Sequence, residues 1–398
     1  MYGRRAGTTG LPRKLWSVSA CGRAGLAAFR RSGGESAFST GAVPLSTIPA
    51  DPAVTPSHRP VGVWLLVCCA LVFGMVVLGG VTRLTDSGLS MVDWDPIMGA
   101  VPPLTDADWQ AAFAAYRQYP EYHAINADMT VDEFKAIFLV EYAHRMWGRA
   151  IGVVFLLPFL VFLATRRLER RLTVRLAVLF VLGGAQGVLG WYMVQSGLID
   201  DPTVSPYRLT AHLALAVVIY AGLLWTALEV VAARPGDTAL PPPLHRRLVA
   251  GLGGLVFLTI LSGGFVAGLD AGLTYNTFPL MDGDWVPEGY LDLTPAYLNL
   301  FENVAAVQFD HRLLAMSTLG AAIAIWAACR RAAAARFRRA LDLVAALALL
   351  QVGLGIATLL LVVPVPLAAA HQAGALALLS AVIWAIWLGS PRPAADRR

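Results

Sequence analysis

Four histidines, His144, His212, His311 and His371, fall near the starts of alternate hydrophobic stretches in a chain that otherwise keeps charge out of them. A neutral imidazole inside a bilayer needs a partner, and facing pairs of imidazoles suit a metal, best of all a haem iron, which asks for only two axial ligands. Zinc fits less well: two histidines per pair, with no supporting cysteine or facing carboxylate pair, leave its tetrahedral shell incomplete. Four residues beyond the histidines stand Gly148, Ala216, Ala315 and Ala375. All are small, so on a helix the adjoining turn leaves room for a flat macrocycle. Glu141 precedes His144 by three residues and shares its helix face, whereas the corresponding residue before His311 is Gln308. A carboxylate beside one pair and an amide beside the other is the difference expected between a catalytic site and an electron-transfer site. Arg83, Arg145, Arg149, Arg208 and Arg312 sit at or near helix ends on the same side, where guanidinium forks are candidates to pair with porphyrin propionates.

The elements that carry these residues are membrane spans. With 57% hydrophobic and 14% charged residues over 398 positions, the composition is that of a multi-span membrane protein. Spans of roughly 20 residues are predicted near 61–82, 137–164, 174–195, 209–232, 248–269, 312–329, 340–363 and 368–389. The net charge of +5 gives no reason to expect nucleic-acid binding, because the basic residues lie in the N-terminal segment and in short loops. Arg166, Arg167, Arg170, Arg171 and Arg175 follow the second span, Arg234, Arg246 and Arg247 the fourth, and Arg330, Arg331, Arg336, Arg338 and Arg339 the sixth. The long segments after spans one and five are acid-rich instead, with Asp86, Asp93, Asp95, Asp106 and Asp108 in one and Asp270, Asp282, Asp284 and Glu288 in the other. The positive-inside rule therefore puts both termini on the matrix or cytoplasmic side and all four histidines at one depth near the outer leaflet. Residues 1–50 are rich in arginine and serine, with Glu35 as their single acid, the composition of a mitochondrial transit peptide. Cys21 lies in that segment, Cys68 and Cys69 in the first span and Cys329 at the end of the sixth, so no outer-loop disulfide or CxxC site is expected.

The chain is internally duplicated. Leu78-Gly-Gly-Val81 matches Ser262-Gly-Gly-Phe265, and Glu141-Tyr-Ala-His144-Arg145 matches Gln308-Phe-Asp-His311-Arg312. Gln186-Gly-Val-Leu-Gly190 matches Gln351-Val-Gly-Leu-Gly355, and Thr210-Ala-His212 matches Ala369-Ala-His371. Each repeat holds four spans, an even number, so both halves enter the membrane from the same side. The expected fold class is an all-α membrane protein of eight transmembrane helices. They form two tandem four-helix bundles, 61–232 and 246–389, related by a pseudo-twofold axis along the membrane normal.

Together these motifs are similar to one family. Gly79-Gly-Val-Thr-Arg83-Leu-Thr-Asp-Ser-Gly88-Leu-Ser-Met-Val-Asp-Trp94, Glu141 to Arg149, Ala271-Gly-Leu-Thr-Tyr275-Asn-Thr-Phe-Pro279-Leu-Met-Asp-Gly283 and Gln308 to Arg312 resemble the haem A synthases, in their mitochondrial form, over residues 60–390. The resemblance implies oxidation of the C8 methyl of haem O to a formyl group through successive hydroxylations. It implies His144 and His212 around the substrate haem, Glu141 as the catalytic carboxylate, and His311 with His371 on a resident haem b. It also implies a mitochondrial inner-membrane location, an electron-transfer partner, a haem O synthase as a candidate neighbour and a homo-oligomer. The rival reading from the residues is a bis-histidine b-type cytochrome that moves electrons without substrate chemistry. A transporter built on repeats is disfavoured by the lack of intramembrane charge pairs.

Overall fold

The computed structural model describes residues 59–92, 101–197, 204–231, 240–331 and 333–391. The transit-peptide region, Cys21, Asp93, Asp95, Trp94 and Arg234 lie outside the described residues. Among the described residues there are ten α-helices: α1 Arg59–Leu84, α2 Asp106–Tyr116, α3 Pro120–Ala124, α4 Val131–Ala164 and α5 Arg170–Gly197, then α6 Pro206–Val231, α7 Pro243–Gly268, α8 Val304–Cys329, α9 Ala335–Leu360 and α10 Val365–Gly389. Eight of these, all but α2 and α3, are long and apolar enough to cross a membrane. The protein is a multi-pass all-helical membrane protein.

Every span begins a little before the start hydropathy predicts, and α4 at Val131 and α8 at Val304 do so by the most. Caps explain both. Thr130 and Glu133 form a reciprocal capping box at the start of α4, and the Asn303 side chain accepts from Ala306 N at 3.1 Å to start α8. The first turns so gained carry polar residues such as Asp132, Glu133, Lys135, Gln308 and Asp310, which a window tuned to lipid-facing runs does not register. Proline at the first or second position opens α6, α7 and α10 without costing a helical hydrogen bond.

Within the first four spans α1 packs on α4 and α6, and α5 on α4 and α6; within the second four α7 packs on α8 and α10, and α9 on α8 and α10. The two sets meet where α1 touches α10, α6 touches α7, and α6 touches α10. Polar side chains hold this seam. Gln372 Nε2 on α10 donates to Val76 O on α1 at 2.9 Å, and Tyr220 Oη on α6 lies 2.8 Å from Ser380 Oγ on α10. In α4, Pro158 cannot donate to the carbonyl of Val154, and Trp64 Nε1 of α1 donates to it instead at 2.9 Å. A proline that would weaken an isolated helix thus becomes the point where two helices are bonded.

The long connection after α1 folds into a cap. Met91, Phe113, Tyr116, Tyr122, Phe134 and Phe138 form a buried cluster that seats α2 and α3 on the outer end of α4. The connection after α7 is an irregular loop tied by Asn299, whose amide donates to Leu293 O at 2.9 Å and Ala296 O at 3.0 Å.

Candidate functional site

The four histidines sit on even-numbered helices α4, α6, α8 and α10, and each leans on the helix before it in its own half. A Cβ placed on Gly79 of α1 would stand 3.1 Å from His144 Cε1. At Gly190 of α5 the distance to His212 Cε1 would be 3.0 Å, at Gly263 of α7 to His311 Cε1 3.2 Å, and at Gly355 of α9 to His371 Cε1 2.8 Å. Each imidazole edge therefore rests on bare backbone, in a seat that any larger residue would crowd. Four repetitions of one packing make this the defining feature of the site. The glycines were present in the duplicated Gly-Gly and Gln-x-x-x-Gly motifs, yet their role is a contact between helices, which a linear motif does not display.

All four rings are half-buried. On the other ring nitrogen, Thr82 Oγ1 lies 3.3 Å from His144 Nδ1 and Ser262 Oγ 2.8 Å from His311 Nδ1. Both hydroxyls are within donating distance of backbone carbonyls, Leu78 O at 2.9 Å and Thr259 O at 2.8 Å. With its single proton spent there, each hydroxyl accepts from Nδ1–H, which leaves Nε2 as a bare lone pair. Among the described residues no three His, Cys, Asp or Glu side chains converge as a metal chelate would need. Seated on glycine floors beside small residues, His144 with His212 and His311 with His371 are residues that would be able to hold a haem.

Glu141 is buried and fully engaged. Its Oε2 accepts from Ser90 Oγ and from Met91 N, both at 2.7 Å, while its Oε1 accepts from Arg145 Nε at 3.0 Å and from Arg145 Nη2. Arg145 Nη2 also donates to Met91 O at 2.8 Å. Gln308 and Arg312 make the counterpart clamp: Gln308 Nε2 donates to Ala271 O at 2.8 Å and Arg312 Nη2 to Tyr275 O at 2.7 Å. Both positions thus fasten an interhelical loop to a histidine helix, the carboxylate by accepting and the amide by donating. Ser90, which motif reading left without a role, adds something more. Its one hydroxyl proton has two acceptors, Glu141 Oε2 and Ser87 O at 3.0 Å. Turning the hydroxyl toward Ser87 frees a lone pair on Glu141 Oε2 while the Arg145 hydrogen bonds to Oε1 stay in place.

The remaining arginines divide. Arg83 bonds Asp86 and Asp270, each at 2.7 Å, and so ties the connections after α1 and α7 together. Asp86 and Asp270 are equivalent in the repeat and share a left-handed backbone, with φ of 46° and 50°. Arg145 and Arg312 are committed to the clamps. Arg149 Nη1 contacts Met146 Sδ at 3.4 Å, and Arg208 stacks over Tyr192 at 4.7 Å from the ring centre.

Fold and site together define a class: an eight-span helical membrane protein with duplicated histidine pairs suited to haem. Residues 62–383 match the family model for cytochrome oxidase assembly protein, COX15-CtaA. The chain is 53% identical over 338 residues to the haem A synthase of Paramagnetospirillum magneticum, covering 83% of this chain and 94% of that protein. It is 49% identical to haem A synthase COX15 of Mus musculus over 339 residues (82% and 81%), and 48% to that of Homo sapiens over 344 residues (82% of each). The chain belongs to the COX15-CtaA family of cytochrome oxidase assembly proteins.

Proposed function

We infer that the protein is a haem A synthase, which oxidises the C8 methyl of haem O to a formyl group by successive hydroxylations and supplies haem A for cytochrome c oxidase. In this reading residues 61–232 and 246–389 are two bundles with different jobs. His144 and His212 frame the substrate haem in the first, and His311 and His371 hold a haem b in the second. Haem b would supply a nearby acceptor of electrons. Glu141 would take the protons released as the methyl is oxidised, with Ser90 turning to Ser87 O as it does so.

The observation that carries the reading is the Glu141 and Gln308 difference inside two otherwise matching clamps. An electron relay has no use for a titratable group at one of two equivalent positions, and the b-type cytochrome alternative leaves it idle. Arg83, Arg145, Arg149, Arg208 and Arg312 are the candidate arginines for the propionates. The roughly fifty-residue basic segment ahead of α1 supports delivery to the mitochondrial inner membrane. Membership of the family and the mammalian relatives support the same destination.

Glu141→Gln tests the assignment, because it makes the first clamp resemble the second while barely changing volume. Expressed in cells lacking the endogenous enzyme, the variant should keep its haem. It should lose conversion by the ~10²–10⁴-fold typical of a missing acid/base, with haem O or a hydroxylated intermediate accumulating. Wild-type haem A at matched protein abundance would reduce Glu141 to a loop clamp.

A further inference from the structure

Two glutamines at equivalent repeat positions, Gln186 on α5 and Gln351 on α9, lie half-buried against the histidines of α6 and α10. Gln186 Nε2 donates to His212 O at 3.0 Å, and Gln351 Nε2 donates to His371 O at 2.8 Å. Each amide is thereby anchored to the backbone of the residue whose ring it adjoins. The other end of each amide is unmet: Gln186 Oε1 and Gln351 Oε1 are buried without a hydrogen-bond partner, and so is His212 Nδ1. Orphaned polar atoms in a low-dielectric interior are costly. Here they are complementary, two amide acceptors next to rings that carry a donor when Nδ1 is protonated.

The second half has the same arrangement with the ring differently turned. Gln351 Nε2 lies 3.1 Å from His371 Nδ1 and 3.5 Å from His371 Nε2. A partner lying in the ring plane of one nitrogen would be far from the other, so the amide lies across the ring and leaves the in-plane position at Nδ1 open. The Cε1 edge is already taken by Gly355. A modest rotation of ring and amide brings Oε1 into line with Nδ1–H while the amide nitrogen keeps its bond to the carbonyl.

We propose that Gln186 and Gln351 are positioning residues that accept Nδ1–H of His212 and His371 through their amide oxygens, fixing the tautomer and ring angle that present Nε2 to a haem iron. The inference rests on the haem-ligand reading above and deepens it. It completes a rule for the whole site. Thr82 and Ser262 place hydroxyl acceptors behind His144 and His311, and the two glutamines place amide acceptors behind His212 and His371. Every pair then has one hydroxyl-backed and one amide-backed ligand. An acceptor behind Nδ1 pushes electron density toward the ligating nitrogen and favours oxidised iron, so its strength is read in the midpoint potential.

The test is a redox titration of the low-spin haem in the purified full-length protein. Gln351→Leu removes the acceptor and should raise the midpoint potential; Gln351→Glu supplies a stronger one and should lower it. A purely structural role would move both variants in the same direction or neither, and that result overturns the proposal. Should Gln351→Glu fail to load haem, Gln351→Met decides, since it keeps the stem and lacks the acceptor: a wild-type potential there also overturns it. His371→Ala is measured alongside. If it keeps the wild-type spectrum, the ligand assignment itself has failed; if it loses the spectrum while the glutamine variants stay at the wild-type potential, only the positioning role has.

Discussion

At the scale of the residue, the histidines and Glu141 announced themselves because imidazoles and carboxylates are rare in apolar stretches and these recur at matched positions. Their supports did not. Gly79, Gly190, Gly263 and Gly355 look like ordinary small residues of membrane helices until the rings are seen resting on them. Gln186 and Gln351 were visible as a repeat but not as partners. The ligand assignment predicts that His311→Ala or His371→Ala removes or alters the b-type absorption of the purified protein, read in a reduced-minus-oxidised spectrum. Unaltered spectra in both would refute it. Outside the spans, burial pushes the Glu121 carboxyl up from its ordinary 4.5 to about 8, with Tyr116 Oη donating to it at 3.0 Å and the charges of Glu141 and Asp86 opposing ionisation. The folded cap holds a proton that the unfolded chain releases near 4.5, so this contribution is complete below that pH and lost as pH rises through about 8. Thermal melts between pH 5 and 8.5 should show stability falling more steeply in the wild type than in Glu121→Gln. Parallel curves would show that Glu121 does not titrate in this range.

At the scale of the element, apolar length located all eight spans, but it was blind to α2, α3 and the outer turns of α4 and α8. The start of α4 is held by a capping box and an aromatic cluster, and that of α8 by the Asn303 cap, rather than by lipid. Thr130-Val-Asp-Glu133 was legible as a capping box, had the search for helix starts not been tied to hydropathy. The bond from Trp64 to Val154 was not legible at all, because it joins residues 90 positions apart. It predicts a double-mutant result. Trp64→Phe strands a buried carbonyl and should cost about 1–3 kcal/mol. Pro158→Ala restores a helical N–H to that carbonyl, so Trp64→Phe combined with Pro158→Ala should recover part of the loss. Additive losses in a denaturant series would show that the two residues act independently.

At the scale of the whole molecule, the contacts between halves support a pseudo-twofold relation. If α1, α4, α5 and α6 correspond to α7, α8, α9 and α10, then α1 against α10 and α6 against α7 are one contact seen twice, and α6 against α10 lies on the axis. The distribution of arginine predicts which side is which. A tag inserted in the loop at 96–130 should be reached by protease from the intermembrane space of mitoplasts. Digestion from the matrix side alone would invert the topology.

His212 and His371 are each the seventh residue of their helices, and those helices, α6 and α10, touch. Each half therefore places the helix of one of its two candidate ligands on the shared seam, with helix axes roughly 8–10 Å apart for packed helices, while the rings themselves face α5 and α9. If each half holds a haem as proposed, charge passing between them would cross this seam through packed side chains without a diffusing carrier. The contact that holds the molecule together would then also be its wire, and a substitution that widens it should slow the passage of charge before it disturbs either site.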